Sequence, residues 1–126
     1  AVVMDMEAGL EHLGRGVIRG VDVVMTVLEP RPSSIQVYES ITTLAGQLGV
    51  RTIIPVGNKV ANTTEEEFLR REVEGSGHKL FASIPYDASV VGAEMSRMAL
   101  LEFAPNSPSV KAIDSLKQAL VETYVT

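Results

Sequence analysis

The chain has 126 residues and a net charge of −5, with 45% hydrophobic and 21% charged residues, three Tyr, three Phe, no Trp and no Cys. That is the size and balance of one packed domain, residues 1–126, and no apolar run approaches the ~18 residues of a membrane helix. The acidic balance argues against a nucleic-acid surface, which needs a basic stripe, and the lack of cysteine excludes disulfides and thiolate metal sites within the chain. With no signal-peptide pattern, a cytoplasmic location is expected.

In chain order, Ala1 to Asp5 (Ala-Val-Val-Met-Asp) is an apolar run that ends in an acid and is followed by Gly9. It predicts a buried strand that delivers a carboxylate at its carboxyl tip. A chain that opens on such a strand, on Ala rather than Met, predicts the C-terminal part of a larger protein. Further strands are predicted at Asp22 to Leu28, Thr52 to Gly57 and Leu80 to Ile84, rich in Val and Ile with little polar alternation, as in parallel strands buried on both faces. Between them, a helix is expected from Ser33 or Ser34 to Gly49, with Ile35, Tyr38, Ile41, Leu44, Ala45 and Leu48 facing the core. A second starts at Thr63 or Thr64 and stops near Gly75, a third spans Asp87 or Ala88 to Met98, and a fourth runs from Ser107-Pro108 to about Tyr124. The inner face of the fourth would be Val110, Ile113, Leu116 and Leu120. Pro55 cannot donate to a ladder, so its strand is expected to be an edge or to be bulged. The class is α/β, a three-layer fold with a mostly parallel sheet between helices.

In open α/β sheets ligands gather at the carboxyl ends of the strands, so the polar residues there are the candidates. Asp5 would hold the water shell of Mg²⁺ or merely cap the next turn; Gly9 would let a backbone amide approach an anion or simply make a turn. Asn58 offers both a donor and an acceptor to a purine edge, with the Lys59 stem beside it, and Tyr86 and Asp87 follow another strand end. Gly14, Gly16 and Gly20 miss the dinucleotide fingerprint by one residue and lack a strand before them. His12, beside Glu11, and His78 have no partners at metal-site spacing, and Glu65 to Glu67 read as the acidic first turn of a helix. No phosphate-binding G-x-x-x-x-G-K-[ST] loop and no nucleophile context occurs.

The ordered set Val-Val-Met-Asp-Met-Glu-Ala-Gly-Leu-Glu-His-Leu-Gly-Arg-Gly, Val-Gly-Asn-Lys-Val, Ile-Pro-Tyr-Asp and Ala-Pro-Asn-Ser-Pro resembles the C-terminal half of the MinD/ParA-like ATPases. Within them it is similar to the CooC type, the accessory ATPases for nickel insertion into carbon monoxide dehydrogenase. The resemblance implies a partial P-loop fold without the P-loop strand. It implies ATP and Mg²⁺ as cofactors of the parent protein, with nickel at an upstream Cys pair absent here. Asp5 would be the Walker B acid and Gly9 part of the γ-phosphate switch. Asn58, with Lys59 next to it, would read the adenine edge opposite Pro85, Tyr86 and Asp87. The partners implied are a second copy, closing over ATP as a homodimer, and carbon monoxide dehydrogenase; no nucleic acid and no membrane are expected. Without the P-loop the chain alone is expected to be inactive. The strand edges so exposed predict a sheet-extended or strand-swapped oligomer, or re-pairing of the two strands flanking the gap. Two other readings remain at this point. One is a partitioning ATPase fragment; the other is a receiver-like signalling or interaction domain using Asp5, Thr26 and Lys59.

Overall fold

The computed structural model describes residues 1–6 and 20–125. A parallel sheet in the order β1-β2-β3 is formed by β1 (Val23–Leu28), β2 (Thr52–Val60) and β3 (Ala82–Pro85). The crossovers are α1 (Pro32–Gln47) and α2 (Thr63–Gly75), and α3 (Ala88–Met95), α4 (Leu100–Phe103) and α5 (Pro108–Leu120) follow the last strand. A π-helical turn, Val121–Val125, extends α5 and brings the Tyr124 ring to 6.4 Å from Phe81.

Parallel strands joined by successive right-handed crossovers in one direction place both crossover helices on one face. Leu28, Ile35, Tyr38, Val60, Leu69 and Val73 accordingly form one buried cluster between the sheet and α1 and α2. The expected inner face of α1 is the observed one, with Ile41, Leu44 and Leu48 packed around Ala45 and Val50 at the amino end of the sheet. The opposite face is covered by α5, whose Leu116 packs on Ile54 and Val56. Because α5 lies mainly over β3, Met25 and Val27 of β1 stay 44% and 53% exposed. Ile113, expected to point inward, is also exposed, and Ser109 and Leu116 are the buried residues of α5.

Several local expectations are corrected. Ala1 to Asp5 is not a strand: Val2, Val3 and Met4 are exposed, and the segment pairs neither with β1 nor with any other described strand. An apolar run becomes a strand only where a neighbour's open edge receives its amides and carbonyls. Pro55 lies in the central strand, opposite Thr26, and is fully buried. Its carbonyl accepts from the Phe81 N–H at 2.9 Å. Since a strand residue's N–H and C=O project to the same side, the hydrogen-less nitrogen faces the β3 edge just before β3 begins, where no donor is required. A bulge is present, but further along. Between Gly57 opposite Ser83 and Val60 opposite Pro85, β2 holds one residue more than β3, and Lys59 takes the left-handed φ of 56°.

The caps differ as well. Ser34 does not cap α1; its Oγ accepts from the Glu29 N–H at 2.9 Å, and Pro32 opens the helix. The N-cap of α2 is Asn62 rather than Thr63 or Thr64, accepting from the Glu65 N–H at 2.9 Å while the Glu65 carboxylate accepts from the Ala61 N–H at 3.0 Å. Gly49, as expected, follows α1 with a φ of 88°.

At Gly57 the Leu69 side chain of α2 packs directly on the β2 backbone, since a Cβ there would lie 2.9 Å from Leu69 Cδ1 and 3.3 Å from Ser83 Oγ. Leu69 is itself fully buried and has no space to retreat into. Gly57→Ala is expected to destabilise the fold by about 1–3 kcal/mol, read as a lower urea midpoint at unchanged slope.

Candidate functional site

The carboxyl ends of β1, β2 and β3 open on one side of the sheet, and the structure brings Asn58, Lys59, Pro85, Tyr86 and Asp87 together there. The bulge carries Asn58 and Lys59, with the Asn58 side chain half-buried and Lys59 exposed. Beside it Pro85 pairs with Val60, and the Tyr86 N–H donates to the Val60 carbonyl at 2.9 Å. Tyr86 therefore leaves the sheet at the tip, 57% exposed, its ring available to a ligand. Between these strand ends and the start of α2 lies a cleft of about 300 Å³ lined by Val60, Ala61, Asn62, Thr63, Glu66, Ser83 and Pro85.

Two acids at these tips are already engaged. Glu29, next after β1, pairs with Arg31 and with Lys59, whose Nζ lies 3.3 Å from its Oε1. The Arg31 guanidinium holds the Glu29 carboxyl below its ordinary value; burial opposes this and Lys59 adds to it. Lys59 is thus drawn toward β1, and a partly exposed pair of this kind contributes ~0–1 kcal/mol. Asp87 follows β3, and its two oxygens serve two helices. Oδ1 accepts from the Ser89 N–H at 2.9 Å at the start of α3, and Oδ2 accepts from the Ser109 N–H at 3.1 Å at the start of α5. These amides, first Ser89 and then Ser109, lower the Asp87 carboxyl to about 2. Sequence reasoning placed Asp87 at the right tip and missed its second helix, 22 residues away. It also missed Glu29, which no local pattern marks.

Other expected site residues are not gathered here. Met6 packs into the cluster of Ala45, Val50, Val21 and Val24 at the amino end of the sheet, so its neighbour Asp5 is not delivered to the carboxyl tips. Gly9, along with Glu11, His12, Gly14 and Gly16, lies outside the described residues. Receiver-like use of Thr26 is corrected: it lies within β1, and its Oγ1 is enclosed in the core. His78 lies at a distance from the site, its Nδ1 3.2 Å from the buried Tyr38 hydroxyl, which also meets Ser76 Oγ at 2.7 Å.

No protein-family model matches the chain. Over 104 residues, 82% of its length, it is 36% identical to the carbon monoxide dehydrogenase accessory protein CooC of Rhodospirillum rubrum. The chain belongs to the MinD/ParA-like ATPases of CooC type. It corresponds to their C-terminal part. It is also 36% identical over 93 residues, 74% of its length, to an uncharacterised ATP-binding protein of Methanocaldococcus jannaschii. The fold matches the MinD cell division protein of Aquifex aeolicus with a TM-score of 0.71 at 16% identity, covering 86% of this chain and 48% of that one. This CooC-type chain spans about two-fifths of the length of the curated relatives it matches, 39% and 36% of these two. Among the described residues no helix is long and apolar enough to cross a membrane.

The donor set at the tips fits a nucleobase: an amide with both donor and acceptor, an exposed aromatic ring and backbone groups at two strand ends. Among the described residues no group of His, Asp and Glu is gathered that could hold a metal ion. Glu29 and Asp87 are engaged within the protein, and Asn62 and Glu65 cap the start of α2.

A carboxyl lowered in the folded chain stabilises it above the unfolded value of 3.8, and that contribution is lost as pH falls through about 2. The urea midpoint is expected to fall over that window from the Asp87 contribution, and Asp87→Asn should remove this part of the pH dependence while lowering the midpoint at neutral pH.

Proposed function

We propose that this chain supplies the base-binding side of the nucleotide site in an ATPase that couples Mg-ATP binding and hydrolysis to nickel insertion into carbon monoxide dehydrogenase. The likeness to the CooC accessory protein over 82% of the chain carries the reading, and the convergence of Asn58 with Pro85 and Tyr86 at adjacent strand ends supports it. Asn58 exchanges hydrogen bonds with the adenine edge, Tyr86 packs on the base, and Lys59 lines the rim on the side of Glu29. The bulge aims Asn58, because an extra residue in β2 turns the strand away from its ladder before the tip.

Asp5 and Gly9 take their roles, as Mg-shell acid and γ-phosphate switch, in the nucleotide-bound, full-length protein. Asp5 reaches the tips only when Ala1 to Asp5 pair as a strand, which requires a neighbouring strand to receive them. ATP then closes two copies into a homodimer in the cytoplasm, and nickel is the cargo, not a resident of this chain.

The test is nucleotide binding by the full-length protein, comparing ATP with tripolyphosphate, which lacks the base. Asn58→Ala is expected to weaken ATP roughly five- to hundredfold, the range for losing a buried pair of hydrogen bonds, and to leave tripolyphosphate unchanged. Equal losses for both ligands would remove Asn58 from the base site. Failure of the protein to restore nickel-dependent activity to carbon monoxide dehydrogenase would reject the client while leaving the ATP site standing.

A further inference from the structure

We infer that Asp87 is a positioning residue: its carboxylate latches the amino end of α5 to the tip of β3 and so sets the Pro85–Tyr86 segment against Asn58, without itself touching nucleotide. The inference rests on the base-site reading above and changes the part Asp87 plays in it.

The first turn of α5 needs partners for its unpaired amides. Pro108 has none to satisfy, the Val110 N–H donates to Ser107 Oγ at 3.4 Å, and the Ser109 N–H donates to Asp87 Oδ2 at 3.1 Å. Ser109 closes the contact from its own side, its hydroxyl donating to the Pro85 carbonyl at 3.4 Å. Ser107 and Ser109 are among the few buried polar residues described, so the α5 side of the contact is held in packed surroundings. The other Asp87 oxygen caps α3. With one oxygen on each helix, the carboxylate is oriented by the protein's own amides, and both helix amino ends favour its negative charge. A residue so engaged is poorly placed to read a base. It is well placed to fix the backbone that does, since Pro85 and Tyr86 are its immediate neighbours and the next link is the Tyr86 N–H to the Val60 carbonyl at the end of the bulge.

Asp87→Ser separates the two duties. Serine is a strong N-cap for α3, but its single oxygen cannot also hold Ser109. In the full-length protein without nucleotide, amide hydrogen exchange is expected to quicken at Ser109 and stay slow at Ser89. ATP affinity relative to tripolyphosphate should drop roughly five- to tenfold, on the scale of one lost hydrogen bond, with tripolyphosphate affinity unchanged. Unaltered exchange at Ser109 would overturn the latch. Faster exchange with intact ATP selectivity would overturn its positioning role, and lost selectivity with unmoved exchange would mean that the carboxylate touches nucleotide directly. Asp87→Asn, also able to serve one amide, provides the same readings should the serine variant fold poorly. If the wild type binds ATP no better than tripolyphosphate, the base-site reading fails and the positioning role fails with it, a result told apart from the others because it needs no variant.

Discussion

The handedness of parallel crossovers governs most of what is seen in this chain. Two crossover connections taken in the same direction put α1 and α2 together on one face, where they bury two apolar clusters that share Ile53 of β2. The other face receives α5 over β3 and leaves the same face of β1 bare at Met25 and Val27. Each crossover returns the chain to the same end of the sheet, so all three strands run one way and three loops with polar residues converge at their carboxyl ends.

At that convergence the protein uses its acids mostly on itself. Glu29 holds two cations, Asp87 holds two amides, and Glu65 completes the cap of α2. What remains available to a ligand is neutral and directional: the Asn58 amide, the Tyr86 ring and backbone groups. A surface of this kind discriminates by hydrogen-bond pattern and shape, the chemistry on which the proposed base site relies.

How much could be read from the residues follows from the range of the interactions involved. The three strands, the inner face of α1 and the stop at Gly49 were legible because period and turn chemistry are local. The caps of α1 and α2 shifted by one to three residues, since Ser34, Asn62 and Thr63 are all competent and the tertiary path decides among them. Ala1 to Asp5 has strand composition but no neighbouring edge, and a strand is a property of the pair. Pro55 signals an edge or a bulged strand; the strand is central and its bulge lies further along, because which side the proline nitrogen faces depends on where β3 begins, some 27 residues later. For the site, Asn58, Lys59, Pro85 and Tyr86 could be placed from strand ends alone. The second helix held by Asp87 and the pairing of Glu29 with Lys59 could not, being contacts between segments distant in sequence.

Pro55 has one more consequence, for register. The smallest slide of β3 along β2 that keeps side chains on their proper faces is two residues. Toward the amino end of β2, such a slide would set a β3 carbonyl opposite a nitrogen with no hydrogen to give, leaving a buried acceptor unmet. The slipped pairing is therefore penalised while the observed one is not. Because β3 carries Pro85 and Tyr86 at its far end, a missing proton in the middle of the central strand keeps those residues level with the Asn58 bulge at the tip.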